Sequence, residues 1–505
     1  MTMKLKLRNP FRRAKRTHSG LDTRMFTAAA HNRLIDWPLA YQRINGDLFV
    51  EWPTITLRCR SLAQNNEAVI GILHNLTRNV IGAHGFTLQS KAEPAELRPK
   101  IEALWREYNS GATHAVSLDG HAGGRDFDML VLRSLVIDGE CFIRRVFDPA
   151  SAFGWRYEVI DAMQIDPMYM VERTESGGRI FMGIELDQRG REIAYYYRPT
   201  MDEQYYSGPR ERLDAKDVIH LFRREYAAQY RGISMLAGAV MNLKQLDDYR
   251  NAELIHAQIG SCVMGVWEWN GQNSDDIITD SSADDKGEFV REIKPGIFPI
   301  APRGYSAKFL QNPGTSTQFA PFVKSILRSI TNSIGISYNK GAGDYESVNY
   351  SSLREANLED RESYAELQMF IIENWKSVQF RDFINAAFVN GLLKADSLAL
   401  LRPHRFFGKR FAWVDPQKEI RAKKEEMAMM LTDPISELEA RGEDPDEVIA
   451  RFAEWKSKLE SAGMGGFWDA AFGMTDPQIA EQDVEEETDE EYTTPSASET
   501  ADYNS

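Results

Sequence analysis

The chain has 505 residues, 43% of them hydrophobic and 11% aromatic, and a formal net charge of −15. That length exceeds what one hydrophobic core fills, so two or more packed units are expected, and the aromatic content excludes wholesale disorder. No apolar run reaches the ~20 residues that cross a bilayer, and the basic start lacks the apolar segment of a secretory signal, which places the chain in the cytosol.

Residues 1–16 contribute +7 and residues 476–505 contribute −11, so the body between them is acidic as well. A protein that grips DNA normally offers a basic face, and none is advertised here. Cys59, Cys141 and Cys262 are odd in number and far apart, which fits neither a disulfide framework nor a structural zinc site; they read as buried thiols.

In chain order, residues 1–20 read as a mobile basic arm. From Thr56 a helical period runs through Leu62, Val69, Leu73, Leu76 and Val80 and stops before Gly82 and Gly85. A second amphipathic stretch spans Glu96 to Tyr108, and a third opens near Phe127 and runs through Leu130, Val131 and Leu135. Between Glu140 and Leu221 the runs CFIRRVF, WRYEVI, RIFMGIEL, IAYYYR and DVIHLF, separated by turn residues, predict a compact mixed sheet.

Past Gly232 the helical period returns, with Ser234 as the expected N-cap and Leu236, Val240, Leu243, Leu246 or Asp247, Ile255 and Ile259 on one stripe. Val263 to Trp269 reads as a strand, followed by a polar acidic loop and a second strand-and-turn stretch ending near Leu310. Phe319 to Ile336 is a shorter helix, and SYNKGAGDYESVNYSS after it reads as a flexible loop. A very long helix begins near Ser351 and passes Leu353, Leu358, Tyr364, Leu367, Phe370, Ile371, Trp375 and Val378. Asp415-Pro416, Asp433-Pro434 and Asp444-Pro445 then mark three short helix starts, before an acidic tail that reads as disordered.

The chemistry-bearing patterns are missing. No G-x-x-x-x-G-K-[ST] phosphate loop occurs, so ATP hydrolysis is not expected, and GAGDYE at Gly341 to Glu346 is no dinucleotide fingerprint. The string Gly232-Ile233-Ser234-Met235-Leu236 lacks the second glycine of a nucleophile elbow. Nine histidines fall outside ligand spacing, and His220 reads as a satisfied strand residue. Asp138, Glu140, Asp161 and Asp166 beside Arg144 and Arg145 could suggest a metal-dependent nuclease, but a turn with surface ion pairs accounts for them. No catalytic residue, metal or cofactor is expected, and a phage-encoded nuclease or hydrolase with an accessory β domain stands as the alternative.

Several strings in collinear order resemble lambda-type phage portal proteins: residues 73–90, 135–146, 217–262, 294–304, 343–355 and 413–427. The resemblance implies an α+β portal fold assembled as a ring of about twelve copies, because head-to-tail contacts close when the rotation closes. It divides the chain into a basic flexible arm (1–20), a wing (21–233), a stem helix (234–262), a clip (263–318), a second stem helix (319–336), a tunnel loop (337–350), a long wing helix and return (351–414), a helical crown (415–462) and an acidic tail (463–505).

On the same resemblance, Asn339, Lys340, Asp344, Tyr345, Glu346 and Asn349 are candidates for a DNA-channel loop, and Lys244, Asp248 and Asn251 for the channel face of the stem. Asp275, Asp276, Asp284, Asp285 and Lys286 are candidates for a clip surface that meets terminase or adaptor proteins. The implied partners are further copies of the chain, double-stranded DNA, the large terminase, head-completion adaptors, the major capsid protein and scaffold, with no membrane. The implied location is the portal vertex of the virion, and the host cytoplasm during assembly.

Overall fold

The computed structural model describes residues 43–175, 177–199, 208–262, 266–269, 305–308, 319–346, 349–411, 416–440, 443 and 445–464. The basic arm, most of the candidate clip and most of the acidic tail lie outside the described residues.

The first helical stretch starts earlier than its apolar period suggests. Helix α1 (Ile44–Asn65) is followed at once by α2 (Glu67–Leu76), because the Asn66 side chain accepts from the Val69 amide and caps a new helix there. A π turn, Thr77–Ile81, carries α2 to Gly82 and Gly85, both at positive φ, as the expected stop requires. After strand β1 (Thr87–Ser90) come α3 (Arg98–Tyr108) and α4 (Gly124–Ile137), both as the periodicity predicts.

The expected mixed sheet is instead two antiparallel sheets. Strands β2 (Glu140–Phe147) and β3 (Trp155–Ile160) open the first; β4 (Arg179–Phe181), β5 (Ile184–Leu186), β6 (Glu192–Tyr197) and β7 (Glu211–Asp214) form the second; β8 (Val218–Phe222) returns to pair with β2. Short turns join most neighbours, and only antiparallel strands can be joined that way. RIFMGIEL is two strands, folded at Met182-Gly183, both of which sit at positive φ.

Helix α5 (Val240–Cys262) begins six residues after Ser234. The Ser234 hydroxyl accepts from the Leu236 amide and caps the entry turn, and a 3-10 turn at Ala237–Ala239 intervenes before the α-helix. Strands β9 (Val266–Trp269) and β10 (Tyr305–Lys308) pair antiparallel. Helix α6 (Phe319–Ile334) runs back along α5: Tyr249 stacks on Phe319 at 5.5 Å, and Gly238 lies beside Ser333.

Part of the segment read as a flexible loop is ordered as a short helix, α7 (Tyr338–Ala342). Then α8 (Tyr350–Ile371), a π turn at Ile372–Lys376 and α9 (Ser377–Val389) make one continuous helical rod. Strand β11 (His404–Phe407) pairs with β1, and α10 (Pro416–Ala428), α11 (Pro434–Ala440) and α12 (Pro445–Ser461) follow at the proline-marked starts.

Two cores result. The larger is helical, with Trp105, Tyr108, Phe127, Tyr364, Trp375 and Phe383 among its buried side chains. The smaller, with Trp52, Phe142, Ile165, Ile184 and Tyr195, fills the space between the sheets and α1. Cys59 and Cys141 are buried free thiols, and burial raises both their pKa values.

Candidate functional site

The carboxylates considered for a metal centre are each paired with arginine. Asp138 and Asp161 share Arg60, at 2.7 and 2.6 Å; Asp166 accepts from Arg198 and Arg210, at 2.8 and 2.7 Å; Arg145 pairs with Asp382 of α9. These were expected as surface pairs, yet each carboxylate except Asp161 is nearly buried, because it fastens one element to another through the packed interior. Arg144 alone of the two neighbouring arginines makes a cross-strand surface pair, to Glu158 at 3.6 Å. Among the described residues no group of three or more His, Cys, Asp or Glu is arranged to hold a metal ion.

Glu140 is the most deeply placed of these groups. It is fully buried, as is Arg231, whose guanidinium donates to Glu140 at 2.6 Å and to the Ala162 and Met182 carbonyls at 2.9 Å, and lies over the Trp52 ring. His220 of β8 sits between Glu140 of β2 at 3.2 Å and Glu192 of β6 at 3.3 Å, and so joins one sheet to the other. Burial pulls the imidazole toward neutrality, but the hydrogen bonds to Glu140 and Glu192 prevail and hold its pKa above the ordinary 6.5.

The backbone here admits only glycine. Gly139 has φ 84°, and a Cβ on it would lie 2.1 Å from the Ile233 carbonyl carbon, while one on Gly232 would lie 2.2 Å from the Gly139 oxygen. The two segments touch so that Glu140 can receive both the Arg231 guanidinium and the Gly232 amide, the latter at 2.8 Å. The sequence reading missed Arg231 and the bridging role of His220. The available signal was His220 in the otherwise apolar and aromatic run VIHLF and Glu140 at the head of the run ECFI.

The candidate loop residues divide into three fates. Lys340, on α7, is not a free cation: its ammonium is 3.5 Å from buried Asp360 and 5.5 Å from the Tyr364 ring. Asp360 also accepts from the Ser337 amide and hydroxyl, at 2.7 and 2.6 Å, and thereby pins the start of α7 to α8. Asp344 accepts from Tyr338 at 2.7 Å and pairs with Lys324 of α6 at 3.0 Å; these bonds, with the Glu346 amide, lower its pKa to about 2. Asn349 is the N-cap of α8, accepting from the Ser352 amide. Asn339 is half-buried, whereas Tyr345 and Glu346 are exposed.

Of the stem candidates, Lys244 and Asp248 pair with each other at 2.6 Å on the exposed face of α5, and Asn251 is exposed one turn on. Asp275, Asp276, Asp284, Asp285 and Lys286 lie outside the described residues.

Comparison with known proteins gives the class of the chain. Residues 31–368, two thirds of the chain, match the model of the phage portal protein, lambda family. The chain belongs to the lambda family of phage portal proteins. It is 28% identical over 484 residues to a probable portal protein of Halomonas phage phiHAP-1, covering 92% of this chain and 93% of that one. It is 21% identical to portal protein B of Escherichia phage lambda, covering 72% and 74% of the two chains. A chain from the virion of a native gene transfer agent particle superposes with a TM-score of 0.48 at 12% identity, over 81% of this chain and 96% of that one. No described helix is long and apolar enough to cross a membrane.

Proposed function

We propose that this portal chain closes into a ring of about twelve copies at one vertex of the phage head, and that double-stranded DNA passes through the centre during packaging and ejection. Residues 21–233 and 351–414 form the wing, α5 and α6 the stem, 263–318 the clip, 337–350 the channel loop and 415–462 the crown. The clip meets the large terminase during filling and head-completion adaptors afterwards; scaffold and the major capsid protein hold the outer rim. The chain works as a structural conduit without catalysis, assembles in the host cytoplasm and ends in the virion.

The observation that supports this best is the state of the α5–α6 pair. Val240, Leu243 and Leu246 are buried at one end of α5, and Ile330 and Ile334 at the matching end of α6, whereas Leu254, Ile255 and Phe322 at the other end are 58%, 53% and 49% exposed. An antiparallel helix pair that leaves its own core with apolar side chains uncovered calls for a neighbouring copy, and a head-to-tail neighbour supplies a repeating one. The acidity fits the same role: a conduit lets a polyanion slide when its wall makes few phosphate contacts.

Replacing Leu254 and Ile255 together by Asp tests the reading. Sedimentation of the purified variant should show single subunits in place of a ring, with the fold of the body unchanged by circular dichroism. A variant that still forms the ring would remove this support.

A further inference from the structure

The first turn of α1 is tied to the loop that follows β8. Asn45 donates to the Ala228 carbonyl at 2.6 Å and accepts from the Tyr230 amide at 3.2 Å. That loop is compact, because the Gln229 side chain accepts from the Glu225 and Tyr226 amides at 2.9 and 3.1 Å. Residues 1–42 therefore leave the body of the protein beside the Glu225 loop.

Glu225 also stands on the rim of a groove. Two adjoining cavities, of about 420 and 490 Å³, share Asn332, Gly335 and Ser363 between the end of α6 and the middle of α8. The cavity nearer the loop has an apolar floor of Leu76, Ile233, Met235, Ile334 and Leu367. The rim is acidic, with Glu225 and Glu366 at the near cavity and Glu359 at the far one. Its arginines are engaged: Arg223 pairs with Glu366 at 2.7 Å, and Arg328 lies 5.2 Å from the Tyr338 ring. Asp360, in the far cavity, is held by Ser337 and Lys340. Among the described residues Glu225 and Glu359 pair with no cation.

The segment that leaves beside this groove carries the complementary chemistry in the matching order. Residues 34–41, LIDWPLAY, are apolar or aromatic except for Asp36, and residues 1–33 hold nine Lys or Arg against one Asp. We propose that the groove between α6 and α8 is the docking site of the chain's own residues 1–42, with residues 34–41 on the apolar floor and the basic residues before them on the acidic rim. Reach allows it: ten extended residues span about 33 Å, several times the radius of a helix with its side chains, roughly 5–6 Å. The groove is walled by the 3-10 entry to α5, by the end of α6 and by α8, so a docked arm braces the joint of the three.

The test is photocrosslinking of the full-length chain with benzoylphenylalanine in place of Trp37, the products mapped by mass spectrometry. Irradiation should join position 37 to the peptides that carry Met235, Leu367 or Leu76. Ser363 lines both cavities, so Ser363→Trp fills the groove, and the yield should fall about tenfold, the change that roughly 1.4 kcal/mol makes in an equilibrium. Glu225→Lys with Glu359→Lys, both exposed positions, should lower the yield without touching the packing of α8, which keeps the test decisive if the tryptophan disturbs that helix. Products confined to other parts of the body or to residues 476–505, or a yield indifferent to both variants, would overturn the proposal. In a mixture of light and heavy isotope-labelled protein, products that join only light to heavy chains would overturn it too, in favour of a neighbouring copy's arm. The readout lies within one chain, so its failure leaves the portal reading standing.

Discussion

Replacing Arg231 by Met removes one charge from the most deeply buried ion pair and keeps most of the side-chain volume. Glu140 then retains only His220 and the Gly232 amide as partners inside a site with no solvent access, and the Ala162 and Met182 carbonyls lose their donor. Breaking a buried pair from one side costs about 3–5 kcal/mol, and each orphaned carbonyl adds about 1 kcal/mol or more. The loss is comparable with the whole stability of a typical domain, about 5–15 kcal/mol. Hydrogen exchange by mass spectrometry should show the peptides of β2, β6 and β8 opening at least a hundredfold more often, while those of α8 and α9, in the other core, change little. Adding Glu140→Gln to Arg231→Met should recover part of the loss, because no bare buried charge remains. The reasoning is refuted if Arg231→Met costs under about 1 kcal/mol, or if the double variant is no more stable than the single one.

His220 carries a pH dependence whose sign is set by its raised pKa. Its two carboxylate bonds contribute fully below the ordinary histidine value of 6.5, and the contribution is lost as pH rises through the higher folded-state value, so the opening free energy of β6 and β8, taken from exchange rates corrected for the intrinsic pH dependence of amide exchange, should fall on the alkaline side. In His220→Gln that fall in opening free energy should vanish, at a lower stability throughout. Asp360→Ala should free the start of α7 by removing the acceptor of Ser337 and the partner of Lys340; exchange at residues 337–342 rising tenfold or more, about 1.4 kcal/mol, would bear this out, and unchanged exchange would contradict it.

Element type was legible in the sequence wherever a period ran long enough. The rod from Tyr350 to Val389, the helix pair α5 and α6 and the proline-started helices all carried their signal locally. What escaped was set by partners far along the chain. β1 and β11 are four-residue strands that define each other across more than three hundred residues, and neither TLQS nor HRFF alternates strongly enough to declare a strand alone. Arg231 lies 91 residues from Glu140, so the local neighbours Arg144 and Arg145 looked like its natural partners. The segment 337–346 has the composition of a flexible loop, yet Asp360 and Lys324, on helices either side, hold Ser337 and Asp344 from outside. Lys340 is picked out by its charge, whereas its surroundings, Asp360 and the Tyr364 ring, are visible only in three dimensions.

The central claim is ring closure around a DNA-wide opening. Native mass spectrometry of the purified full-length chain at moderate salt, with negative-stain imaging of the same sample, tests it most directly. The account predicts one dominant species of about twelve subunits with a central hole of roughly 20 Å or more, as closed head-to-tail assembly requires. A chain that stays monomeric or dimeric, even with scaffold present, would contradict it.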